Sequence, residues 1–75
     1  MTDTVEFKVA LLRAKMTMEE LADAIGVSPA TLSYKVNNRR LFTSVEIKAI
    51  VDALHLTMED RDKIFFADQV DEKST

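Results

Sequence analysis

The residues of this chain whose types and spacing suggest chemistry lie between Ser28 and Arg40. Lys35, Arg39 and Arg40 follow one another closely, with Tyr34, Asn37 and Asn38 among them. Cations this close together suit the holding of anionic groups such as phosphates. Elsewhere little reactive chemistry can be assembled. There is no cysteine, so no disulfide framework, zinc site or thiol nucleophile is expected, and a reducing, cytoplasmic setting is the natural one. His55 is the single histidine and lacks the partners a metal needs. No paired carboxylates, nucleophile with a base or Gly-rich phosphate loop emerges, so neither catalysis, a cofactor nor a small-molecule substrate is expected.

The net charge of −3 argues at first against a polyanionic partner. The total conceals a gradient. Residues 1–27 carry three Lys/Arg against five Asp/Glu, residues 28–51 four against one, and residues 52–75 three against seven. The middle third is therefore at +3 between flanks of −2 and −4. Salt screens charges beyond about 8 to 10 Å, so a local basic face on an acidic protein can still hold phosphates.

Seventy-five residues make one domain. A chain near this size buries only about 60% of its unfolded surface, leaving little room for a substrate cleft beside a core. No signal peptide opens the chain, and no apolar run approaches the roughly 18 residues of a membrane span, so a soluble protein with no membrane partner is expected.

The elements that must position the basic stretch are helical, and no strand alternation or internal repeat occurs. Met1 to Thr4 reads as a frayed terminus. From Val5 to Lys15 the apolar Phe7, Ala10, Leu11 and Ala14 recur at helical spacing. Thr17 followed by Glu20 forms a capping box opening a second helix with a stripe of Leu21, Ala24 and Ile25, and Ala22 is small enough for close helix approach. Gly26 fits a left-handed C-cap. Ser28 as N-cap and Pro29 at the first helical position open a third helix, whose inward residues are Thr31, Leu32 and Val36. Asn37 and Asn38 end it, because Asn tolerates left-handed backbone. Arg39 to Phe42 form a basic loop whose Leu41 and Phe42 tuck under the core. Thr43 or Ser44 caps a fourth helix with Ile47, Ile50, Val51 and Leu54 inward; Thr57 caps a fifth, with Ile64 and Phe65 inward. The expected architecture is an all-α, five-helix domain over residues 1–68 and a polar, disordered tail over 69–75.

Two short helices joined by a tight turn containing Gly make a helix-turn-helix, here Thr17 to Val36. Leu21, Ala22, Ile25, Gly26, Val27 and Leu32, then Ser33 and Asn37, then Val51 to Leu54, resemble the lambda-repressor-like (phage repressor and Cro, XRE-type) helix-turn-helix family. The resemblance spans about Phe7 to Leu56. The run from Thr31 to Ile47, with Ile64 to Ala67, is similar to small phage and prophage regulators of Gram-positive bacteria.

The resemblance implies a sequence-specific regulator of transcription that represses by occupying a double-stranded DNA operator, often as a homodimer. In such proteins the third helix enters the major groove and the N-terminus of the second faces a phosphate. Carried over by position, Ser28, Pro29, Ala30, Tyr34 and Lys35 face bases, whereas Met18, Asn38, Arg39 and Arg40 face phosphates.

The chain departs from the family pattern at several of these places. Met18 replaces a common Gln and leaves only a backbone N–H for phosphate, and Asn38 replaces a common Gly. Lys35 stands where an aliphatic is usual and is expected to snorkel outward, towards solvent or DNA. Val36 and Leu11 stand where relatives often pair Glu with Arg, which implies an apolar contact in place of an ion pair. Phe66 and Val70 are the apolar candidates for a dimer contact. The competing reading is a protein-binding adaptor or antirepressor that keeps this fold. The acidic balance, Met18, and the apolar Pro29 and Ala30 favour it.

Overall fold

In the computed structural model, which describes residues 1–67, the capping residues set the helix boundaries. The five helices are α1 (Thr4–Ala14), α2 (Met18–Ile25), α3 (Pro29–Val36), α4 (Ser44–Leu54) and α5 (Met58–Phe65). No strand occurs among the described residues. The boundary expected at residue 68, the tail over 69–75 and Val70 lie outside them.

Each helix begins on a side chain that accepts a hydrogen bond from an otherwise orphaned backbone N–H. Thr17, Thr43 and Thr57 form full capping boxes with Glu20, Glu46 and Asp60, while Asp3 and Ser28 cap α1 and α3 through their side chains alone. The helices end on left-handed backbone at Lys15, Gly26 and His55, and Asn38 takes the same conformation just beyond α3. His55 thus has a definite structural task, its N–H closing α4 onto the Val51 carbonyl.

Helices α2 and α3 pack on each other, α2 also packs on α4, and α1 lies against α4 and α5. Phe7, Leu21, Leu32, Val36, Ile50 and Ile64 are fully enclosed, one or more from each helix, so one core ties all five together. Ala22 is fully buried, as close helix approach requires, but Ala24 faces solvent instead of joining the stripe. Leu11 and Val36 are both buried in the core.

Two expectations about chain segments fail. The N-terminus is not frayed. Thr2 is buried, and residues 2–4 bind two distant helix ends: the Asp3 N–H donates to the Ile64 carbonyl at 2.7 Å, and Thr4 Oγ1 donates to the Val36 carbonyl at 2.8 Å. Of the two apolar residues closing the basic loop, only Phe42 turns inward. Its ring stacks on Phe7 at 6.1 Å and meets Phe65 edge-on at 5.3 Å, whereas its neighbour Leu41 points away and is 83% exposed.

Candidate nucleic-acid interface

The outer surface of α3 begins with three exposed residues, Ser28, Pro29 and Ala30. Proline at the first helical position loses no hydrogen bond, and the Ala30 N–H behind it has no partner within the helix. Ser28 is less available than its exposure suggests. Its Oγ accepts from the Thr31 N–H at 3.1 Å and donates to Thr31 Oγ1 at 2.9 Å, leaving only acceptor capacity for a ligand. No acidic residue stands in the first turn of α3.

One turn further along the same helix, Tyr34 is half exposed. The Arg39 guanidinium lies over its ring, 5.8 Å from the centroid, and the Arg39 N–H donates to the Tyr34 carbonyl at 2.8 Å. A cation held over a ring keeps its edge N–H groups available to an acceptor. Arg40 is exposed beside it, and no described carboxylate forms an ion pair with either arginine. Tyr34, Arg39 and Arg40 therefore form a cationic edge with open donors at the C-terminal end of α3.

Lys35 does not belong to that edge. The expectation that it reaches outward fails: its side chain is 11% exposed, and Nζ donates to both carboxylate oxygens of Glu46, at 2.7 and 2.6 Å. Burying an ammonium is costly unless it is paired and hydrogen-bonded, and Glu46 in the first turn of α4 supplies both conditions. Glu46 Oε1 also accepts from the Thr43 N–H at 2.9 Å. Burial alone would raise the Glu46 pKa; the hydrogen bonds from Lys35 and Thr43 and the Lys35 charge outweigh it and hold the carboxyl below its ordinary value.

The Asn38 side chain is likewise engaged elsewhere. Its Oδ1 accepts from the Thr2 N–H at 2.8 Å and its Nδ2 donates to the Thr2 carbonyl at 3.0 Å, so one amide meets both backbone polar groups of one residue. Asn therefore does at this left-handed position what Gly could not, joining the end of α3 to the N-terminal segment. Its second amide N–H, on an exposed residue, is the donor this side chain keeps for a ligand.

At the start of α2, Met18 is half-buried and packs against the core. Its backbone N–H, at the first helical position, faces the space before the helix. Glu20 is drawn back to the Thr17 N–H at 2.9 Å, and Glu19 is exposed. Two carboxylates in this turn oppose the attraction of the helix dipole for an anion, so the arginine end is the stronger anion site.

The pairing of Lys35 with Glu46 and the grip of Asn38 on Thr2 were not evident from the sequence. Glu46 was legible as a capping residue, but not as a carboxylate with a second ligand. A lysine at an inward helical position followed by an acidic residue in the first turn of the next helix was the available signal.

Among the described residues no helix is long and apolar enough to cross a membrane. Comparison with curated proteins gives no match. A family model described as helix-turn-helix matches residues 8–60, which include α2, the turn, α3 and all of α4. This chain belongs to the Cro/C1-type, XRE-like helix-turn-helix family, a family of DNA-binding regulators and not of enzymes.

Proposed function

We propose that this protein is a sequence-specific regulator, of the phage or prophage type, that represses transcription by occupying a double-stranded DNA operator. Helix α3 lies in the major groove with Ser28, Pro29, Ala30 and Tyr34 towards base edges. Pro29 and Ala30 can offer only apolar contact, to a thymine methyl or to groove shape, so hydrogen-bonded readout falls to Tyr34 and the Ser28 oxygen. Arg39 and Arg40 hold phosphates, assisted by the Met18 N–H. Lys35 is left out of the contact set because it is buried against Glu46, and the Asn38 side chain, tied to Thr2, adds only its second amide N–H to a phosphate. Regulators with this motif commonly bind half-sites about one helical turn apart as two-fold dimers. We extend that arrangement to this chain, with Phe66, half-buried under the Arg61 guanidinium, as the apolar candidate within the described residues.

One observation carries the reading: two arginines without carboxylate partners directly follow an exposed helix face that has no acidic residue in its first turn. Binding to bulk duplex DNA across a salt series tests it. A DNA binder loses affinity steeply as salt rises, with a slope of about −0.9 per neutralised phosphate. An adaptor shows little binding at any salt. That second reading has its own support in the exposed apolar residues Leu41, Pro29 and Ala30, and in the two glutamates at the start of α2.

A further inference from the structure

We infer that Lys35 and Glu46 are positioning residues for phosphate binding: their ion pair closes the loop between α3 and α4 and fixes where Arg39 and Arg40 present their charges. The inference rests on the proposed DNA-binding reading and adds to it two residues that touch no DNA.

The loop's two roots are held separately. On the α3 side, the N–H groups of Asn37, Asn38 and Arg39 donate back to Ser33, Lys35 and Tyr34, and the Asn38 side chain is fastened to Thr2. On the α4 side, Phe42 is packed among Phe7 and Phe65, and Thr43 exchanges hydrogen bonds with Glu46. Only Arg40 and Leu41 lie between these two anchored stretches. Lys35 belongs to the last turn of α3 and Glu46 to the first of α4, so their bond joins the roots directly. It is the ionic link between these two helices among the described residues.

Stability does not explain why this link is ionic. A buried ion pair seldom exceeds well-packed apolar side chains of similar volume, because desolvation offsets the attraction. What it adds is direction: an ammonium held between two carboxylate oxygens tolerates less sliding of α3 along α4 than two methyl groups would. Specific protein–DNA complexes depend on phosphate contacts held in register, whereas non-specific complexes depend mainly on how many charges are present. The pair should therefore matter to the first kind of binding and not the second.

The doubly substituted protein Lys35→Met/Glu46→Gln tests this. It leaves the net charge at −3, keeps a capping residue at the third position of α4, and replaces the lysine by an apolar side chain of similar length. The wild-type protein is first used to select its preferred duplex. Affinities for that duplex and for random duplex are then measured for both proteins, with amide hydrogen exchange read at Arg39 and Thr43. Expected are an unchanged affinity for random DNA, faster exchange at both amides, and a loss of about five- to tenfold on the selected duplex, equivalent to one ordinary hydrogen bond. Affinity for the selected duplex within about twofold of wild type would overturn the inference, leaving the pair a packing feature only. If the wild type selects no duplex, the DNA-binding reading fails and this inference with it, an outcome distinct from the first. If the double variant does not fold, Glu46→Gln alone carries the test. It keeps a hydrogen bond from the Lys35 ammonium to a now neutral acceptor and should lose about two- to threefold on the selected duplex only, and no loss there is the overturning result.

Discussion

Replacing Asn38 with Gly separates the two tasks this residue performs. Gly keeps the left-handed backbone, observed at φ 65°, but removes both bonds to the Thr2 backbone, at 2.8 and 3.0 Å. Each partly buried hydrogen bond is worth about 0.5 to 1.5 kcal/mol net, so the pair contributes about 1 to 3 kcal/mol. Relief of left-handed strain and the greater freedom of Gly in the unfolded chain are smaller and of opposite sign. For a domain of this size, 1 kcal/mol moves Tm by about 4 to 8 °C, so a fall of roughly 5 to 20 °C is expected. Asn38→Ala should be worse than Asn38→Gly by a further 1 to 2 kcal/mol or so, since it adds the left-handed penalty. Urea denaturation followed by circular dichroism gives the free energies, and amide hydrogen exchange at Thr2 reports the bond directly. Equal stability of Asn38→Gly and the parent, to within about 0.3 kcal/mol, together with an unprotected Thr2 amide in the parent, would refute the claim that the N-terminus is fastened to the end of α3.

Three further outcomes follow from the geometry. Because the folded protein holds the Glu46 carboxyl below its ordinary value, its ionised form stabilises the fold above the unfolded pKa, and that contribution disappears as pH falls through the lower folded value; the urea midpoint of the parent should drop over this acidic range while that of Glu46→Gln changes less. Tyr34→Ala should cost about 1 to 3 kcal/mol on the preferred duplex and relax preference at one or two base pairs, whereas Arg40→Ala should weaken all duplexes alike and flatten the salt slope by about 1. Gly26→Ala should destabilise by about 1 kcal/mol through backbone strain alone: at φ 81° a side chain is disfavoured, yet an added Cβ meets no atom within 4 Å, so an unfolded variant would indicate contacts absent from this structure.

The sequence disclosed the parts of this protein that local chemistry determines. Thr17 with Glu20, Ser28 with Pro29, and Thr43 with Glu46 mark helix starts through backbone needs met within three or four residues, and the structure places them there. The apolar spacing of Phe7, Leu21, Leu32 and Ile50 likewise predicted the core. What was not legible depended on partners distant in sequence. Lys35 looked like a side chain that must turn outward because the residue meeting it lies 11 positions on, in another helix. Thr2 looked frayed because its partner is 36 positions away. Leu41 and Phe42 were indistinguishable as adjacent apolar residues until Phe7 and Phe65 defined a slot for one ring. At the candidate interface these long-range contacts bury Lys35 against Glu46 and tie the Asn38 side chain to Thr2, while Tyr34, Arg39 and Arg40 stay exposed.

In vitro selection from random duplex DNA with the purified full chain is the most direct test of the central claim. The expected result is enrichment of an inverted repeat whose half-sites are about one helical turn apart, bound by wild type and less tightly by Tyr34→Ala. Recovery of no enriched sequence at moderate salt, with binding to random duplex that does not vary with salt, would contradict it and favour a protein partner for the same face.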